Sequence, residues 1–245
     1  MLHLVGLGLA GDLTCEGLRI AKKSHKVYLE TYTSLVPAKE KMEEMLGRSV
    51  IPLGRKQIEE EDFLVNEAQT QDVAMLVGGD PLVATTHAEL LLRAKKKGVK
   101  YKIIHNASIY TAIAETGLQI YRFGKSSSIV FPRPNFSPAS FYNAIEENLA
   151  RDLHTLLFLD VIAEERLYMN PAQALRILKQ LGFQGNLVVC SRLGHRNPNI
   201  CYGGIEGLCG LEDDFWGPPP HILVIPANLH FMEEEFLEEF RFKKK

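Results

Sequence analysis

Residues Asp72 to Pro81 read DVAMLVGGDP, an apolar run that stops abruptly at two glycines, an aspartate and a proline. Val73 to Val77 has the length of a buried strand. Asp80 therefore falls just past a strand's carboxyl end, the edge at which open α/β sheets bind small molecules. Gly78 and Gly79 permit a sharp turn or a close approach to a ligand, and Pro81 stiffens the chain that follows. Taken alone, GGDP is equally a tight strand-to-helix turn. Two other stretches have the same form. MLHLVGLGLAGDLT puts Gly6, Gly8 and Gly11 behind the strand candidate Leu2 to Leu7, and HNASI puts His105 to Ile109 between a strand at Tyr101 to Ile104 and a helix. Backbone amides at Asn106, Ala107 and Ser108 could meet an adenosyl or carboxylate group there, or Ser108 could be a plain N-cap. Gly6, Gly8 and Gly11 also fit the dinucleotide spacing GxGxxG, with Glu30 placed to be the acidic residue that closes the second strand of that motif. On spacing alone a nicotinamide-dependent oxidoreductase stays open.

Turns of this kind must be held by a parallel sheet, and the surrounding chain has its rhythm. Helices are expected at Thr14 to Lys22, Pro37 to Leu46, Ile58 to Thr70 and Thr86 to Lys97, alternating with strands at Lys26 to Leu29, Val50 to Pro52 and Val73 to Val77. From Leu118 the texture changes, with Phe, Pro and Ser gathered through Arg122 to Ser140. A domain boundary is placed near Gly117, giving units 1–117 and 118–245. The second has strands at Thr155 to Leu159, Leu187 to Cys190 and Ile222 to Ile225, helices at Phe141 to Arg151 and Pro171 to Leu181, and hairpin-like signals around Tyr202 to Gly204. The fold class that follows is α/β, two α/β domains with a ligand cleft between them.

Composition narrows the function classes. The 245 residues are 46% hydrophobic with a net charge of -2, enough apolar material for sizeable cores and no general attraction to phosphate backbones. Basic residues cluster only locally, at Arg93 with Lys95 to Lys97 and in the solvated tail Lys243 to Lys245. There is no apolar run of roughly 18 residues, and Met1 to Ala10 lacks a basic flank and cleavage signal, so a cytosolic protein is expected. Cys15, Cys190, Cys201 and Cys209 have no CxxC or zinc-like spacing and read as reduced thiols, and no HExxH or GxSxG appears. Metalloenzyme and hydrolase readings fall away, and no metal is expected.

GLGLAGD, VGGDPLVATTH, HNASI, LFLD at Leu157 to Asp160, SRLG at Ser191 to Gly194 and PPPHILVIPANLH together resemble the diphthine synthase family, of tetrapyrrole methylase fold, over nearly the whole chain. The resemblance implies an S-adenosylmethionine-dependent methyltransferase of diphthamide biosynthesis. Its acceptor would be the 3-amino-3-carboxypropyl group on a histidine of translation elongation factor 2. It implies cofactor contacts from Leu9, Asp80, Val83, Ser108 and Ile109 in the first half, and from Leu159, Leu193 and His221 in the second. Several of these are apolar and would act through backbone groups and packing; His221, opening an apolar strand, could instead be a satisfied structural histidine. The resemblance also implies a homodimer. Methyl transfer from a sulfonium is an in-line displacement that needs no metal, and no side chain stands out as a general base. Arg192 is the candidate to grip the acceptor's carboxylate, since guanidinium does so bidentately; a surface ion pair is its other reading. The rivals are a methylase of the same fold acting on a tetrapyrrole or ribosomal RNA, the nicotinamide-dependent oxidoreductase, and a catalytically silent binding module.

Overall fold

The computed structural model describes residues 1–133, 139–165 and 167–243. Lys244 and Lys245 of the basic tail, and positions 134–138 of the Phe, Pro and Ser-rich stretch, lie outside the described residues. The chain divides into two compact units, residues 1–109 with 162–166 and residues 110–161 with 167–245, so Gly117 belongs to the second.

In the first unit β1 (Leu2–Gly6), α1 (Cys15–Lys23), β2 (Lys26–Glu30), α2 (Lys39–Leu46), β3 (Ile51–Leu53), α3 (Arg55–Glu59), α4 (Phe63–Thr70), β4 (Val73–Val77), α5 (His87–Lys96) and β5 (Tyr101–Ile104) follow one another. The five strands make one all-parallel sheet, ordered β3-β2-β4-β1-β5. A parallel sheet covered on both faces needs apolar side chains on both, which is why β4 is a continuous apolar run, β1 is apolar but for His3, and both are buried at every position. Their period of two sorts them into separate cores. Leu2, Leu4, Tyr28, Val73, Met75 and Val77 pack with Leu64 and Val65 of α4 and Leu90 and Ala94 of α5. Val5, Val27, Leu29, Ala74 and Leu76 pack with Ile20 and Ala21 of α1 and Met42 and Leu46 of α2.

The helix expected over Ile58 to Thr70 is two helices. Arg93 of α5 donates to the carbonyls of Ile58 and Glu61 and to the Asp62 carboxylate. Those carbonyls are thus withdrawn from a continuing helical ladder, and the chain restarts at Phe63 behind Asp62.

The remaining elements are α6 (Ile109–Ala112), which begins at the division, β6 (Ser127–Ile129), α7 (Ser140–Leu149), β7 (Thr155–Leu159), β8 (Val161–Ile162), β9 (Leu167–Tyr168), α8 (Pro171–Gln180), β10 (Asn186–Ser191), β11 (Asn199–Gly204), α9 (Ile205–Leu208), β12 (His221–Ile225) and α10 (Phe231–Glu238). The second sheet, β11-β10-β12-β7-β6, is antiparallel except for the β6–β7 pair. Parallel and mixed sheets flanked by helices make the α/β class expected from the sequence. Tyr202 to Gly204, around which the sequence carries hairpin-like signals, lies in the second strand of an antiparallel hairpin and not at its turn. It continues β11, which pairs antiparallel with β10 through Asn186↔Gly204. The second unit also buries an acid: the Glu233 carboxylate is fully enclosed and receives the His154 imidazole at 3.0 Å, the Arg122 guanidinium at 2.5 Å and the N–H groups of Gln119 and His230, both at 2.8 Å. Among the described residues no helix is long and apolar enough to cross a membrane.

Candidate functional site

In the first unit the site is an edge. Because β1 pairs in parallel with both β4 and β5, the carboxyl ends of these three strands lie side by side. The turns leaving them are stitched together. Gly8 N–H donates to Gly79 O at 3.1 Å and Gly79 N–H to Gly8 O at 2.9 Å. Asn106 Nδ2 donates to the carbonyls of Gly6 (3.0 Å) and Asp12 (2.7 Å). A Cβ at Gly6 would lie 2.7 Å from Gly79 O and 2.8 Å from Asn106 Cβ, so the stitching requires glycine. Gly79, at φ +69°, is different. A Cβ there would meet only Ala107 O, at 3.9 Å, so the backbone of this turn borders open space that a ligand can approach.

Asp80 is the keystone of the edge. Its carboxylate is buried and accepts the Leu82 N–H on Oδ1 at 3.0 Å, and His105 Nδ1 (2.7 Å) and the Asn106 N–H (3.2 Å) on Oδ2. One side chain thus shapes its own loop and ties it to the HNASI turn. The loop from Pro81 to Thr86 is fixed from below by the fully buried His87, whose Nδ1 donates to the Pro81 carbonyl at 2.9 Å. Burial pushes this imidazole below its ordinary value of 6.5, which keeps it neutral. Along this edge Leu9, Val83 and Ile109 are half-buried and Ser108 is buried. The five first-half residues singled out in the sequence therefore share one border.

The dinucleotide spacing does not build a dinucleotide site. α1 starts only at Cys15, behind the N-cap Thr14, so the glycines do not open a helix onto a pyrophosphate. Glu30 is fully buried and both its oxygens are committed, to the N–H groups of Tyr32 and Thr33 and to the Thr33 hydroxyl. It has no face left for a ribose.

In the second unit the register Ser191↔His221 and Ile222↔Phe158 sets the ends of β10 and β7 beside the start of β12. Leu159, Leu193 and His221 meet at this edge, all nearly enclosed. The SRLG turn is held by Arg192 N–H to Pro220 O (2.9 Å), His195 N–H to Arg192 O (3.1 Å) and Gly194 N–H to the Glu115 carboxylate (2.8 Å). These bonds hold Arg192 at φ +58°, a left-handed backbone costing a non-glycine residue roughly 1–3 kcal/mol. Its Nε is buried with no hydrogen-bond partner among the described residues. His221 is pushed below 6.5 by burial, against the opposing pull of the Gly217 and Trp216 carbonyls. Its Nε2–H donates to Gly217 O at 3.1 Å, so a structural use of one ring nitrogen is already filled and Nδ1 is the other. The side chains of His105, Asn106 and Glu115 were not singled out in the sequence. The position of His105 directly behind a strand was the one available signal, whereas Glu115 reaches Gly194 from 79 residues away.

Residues 1–207 match the family model of the Tetrapyrrole (Corrin/Porphyrin) Methylases. A diphthine synthase of Methanocaldococcus jannaschii is 42% identical, covering 97% of this chain and 98% of the relative, and one of Methanococcus aeolicus is 41% identical, covering 97% of each. A crystal structure of diphthine synthase superposes with a TM-score of 0.90 at 38% identity, covering 98% of this chain and 95% of that one.

Proposed function

Because this chain belongs to the tetrapyrrole methylase family and to its diphthine synthase branch, we infer that it is an S-adenosylmethionine-dependent methyltransferase of diphthamide biosynthesis. The observation that carries the reading at the level of residues is the stitched edge around Asp80. There, half-buried turn backbone at Gly79 with open space beside it, and half-buried Leu9, Val83 and Ile109, offer polar main chain and apolar walls together, which is what a nucleoside with an amino-acid tail requires. The residues fit that group. When bound, S-adenosylmethionine supplies an electrophilic methyl on a sulfonium.

In this reading Leu9, Asp80, Val83, Ser108 and Ile109 of the first unit, and Leu159, Leu193 and His221 of the second, hold the cofactor. Asp80 contributes by fixing two turns, and the apolar members contribute packing and main-chain contacts. The acceptor is the amine of a 3-amino-3-carboxypropyl group on a histidine of elongation factor 2, and its carboxylate is taken by Arg192. The strained backbone and unpartnered Nε of Arg192 support that assignment, since strain of this kind persists where the surroundings enforce a particular side-chain direction. The homodimeric state rests on the family resemblance.

The test is methyl transfer to precursor-bearing elongation factor 2, to bulk ribosomal RNA and to uroporphyrinogen, read by intact mass, with calorimetry of S-adenosylhomocysteine against NADH. Mass gains of one or more methyl groups on the factor alone are expected. Transfer to RNA or uroporphyrinogen but not to the factor would refute the branch assignment, and heat from NADH alone would refute the methyltransferase.

A further inference from the structure

An alkylammonium has no lone pair, so an amine acceptor must give up a proton before its nitrogen can take a methyl group. One group in the first unit is built to receive it. His105 follows β5 directly, and its Nδ1 lies 2.7 Å from Asp80 Oδ2. A carboxylate only accepts, so Nδ1 carries the hydrogen and the neutral ring keeps its lone pair on Nε2. The exposures divide the labour: the Asp80 side chain is 7% exposed and the imidazole 68%. Nε2 has no hydrogen-bond partner among the described residues. The acid cannot turn away, because Leu82 N–H holds Oδ1 and Asn106 N–H holds Oδ2. A buried carboxylate that fixes the tautomer and direction of an open imidazole is the arrangement that presents a histidine lone pair as a base.

We propose that His105, oriented by Asp80, is the general base that deprotonates the acceptor amine at the carboxyl edge of the first sheet. The inference rests on the methyltransferase reading above. The ammonium N–H bond breaks, its proton passes to His105 Nε2 and its electron pair stays on nitrogen. That nitrogen attacks the sulfonium methyl carbon, and as the N–C bond forms the C–S bond breaks with its electron pair left on sulfur, giving the thioether. The imidazolium, facing Asp80, returns its proton to water. Each further methyl on the same nitrogen needs the same removal, so one base serves every round.

A histidine that merely pinned the two turns together would make the same Nδ1 bond, so the test separates the two ring nitrogens. His105→Asn keeps a donor where Nδ1 stands and has no nitrogen at Nε2; His105→Ala removes both and leaves room for added imidazole. In His105→Asn, S-adenosylhomocysteine affinity by calorimetry should stay within about three-fold of wild type while single-turnover methyl transfer to precursor-bearing elongation factor 2 falls by about 10²- to 10³-fold. In His105→Ala, transfer should recover in proportion to added imidazole. An active wild type with an equally active His105→Asn overturns the inference alone, as does a rate loss that only tracks lost cofactor affinity or a His105→Ala indifferent to imidazole. A wild type that neither binds S-adenosylhomocysteine nor transfers a methyl overturns the underlying reading, and the inference with it.

Discussion

Replacing Asp80 should weaken cofactor binding and loosen the fold together, because its carboxylate is spent on the protein itself. Three bonds end on it, from Leu82 N–H, Asn106 N–H and His105 Nδ1. The Leu82 bond spans two residues, and water can replace it at little cost. The other two join the GGDP and HNASI turns across 25 and 26 residues of chain and have no such substitute. Losing a hydrogen bond to a charged acceptor costs roughly 1.5–3 kcal/mol. If the energy of one such bond holds the turns in the binding conformation and the other is offset by water entering the loosened loop, Asp80→Ala should reduce S-adenosylhomocysteine affinity by about ten-fold to 150-fold. Asp80→Asn should fall between wild type and alanine, because whichever way the amide turns its NH2 confronts one of the backbone N–H donors. Titration calorimetry gives the affinities and thermal unfolding gives the stabilities of the same samples. A midpoint unchanged in both variants alongside lost affinity would show that Asp80 contacts the ligand and does not organise the turns. Unchanged affinity in both would remove Asp80 from the site.

Gly6→Ala should abolish cofactor binding with modest loss of stability, since its Cβ would press on Gly79 O at 2.7 Å and Asn106 Cβ at 2.8 Å and drive the stitched turns apart; calorimetry and circular dichroism check this. Glu233→Gln should lower stability at neutral pH by about 3 kcal/mol, because it strips the charge that Arg122 and His154 meet in a closed space; chemical denaturation reads it. Wild-type stability should fall in two acid steps. Burial pushes His154 below 6.5, so the unfolded chain takes up a proton first and stability begins to drop as pH falls through 6.5. Burial would raise Glu233, but the Gln119 and His230 N–H groups and His154 hold it below 4.5; its contribution is complete above 4.5 and is lost as pH falls through the lower folded value, so Glu233→Gln should flatten the lower step of a denaturation-against-pH series. Arg192→Ala should raise KM for the acceptor protein about ten-fold or more while leaving S-adenosylhomocysteine affinity unchanged; an unchanged KM would return Arg192 to a structural role.

What the sequence determined by itself was whatever depends on neighbours along the chain. Continuous apolar runs such as VAMLV have to be strands covered on both faces, and GLGLAGD, GGDP and HNASI have to be turns leaving such strands. From these come the parallel sheet and the edge that carries Leu9, Asp80, Val83, Ser108 and Ile109. The distinctive wording of the motifs carried the branch of the family as well. Local pattern could not say what a side chain does with its oxygens. Glu30 has the right spacing for a ribose ligand, and only the packed loop shows its carboxylate consumed by Tyr32 and Thr33. Asp80 has the right place for a ligand contact, and only the adjacency of β4, β1 and β5 puts His105 and the Asn106 N–H against it. The helix at Ile58 to Thr70 reads as continuous until Arg93, remote in sequence, takes its carbonyls. The division has one cause. Periodicity and turn chemistry are set within a few residues, whereas a buried carboxylate takes whichever donors the strand order brings to it, and strand order is decided by the whole fold.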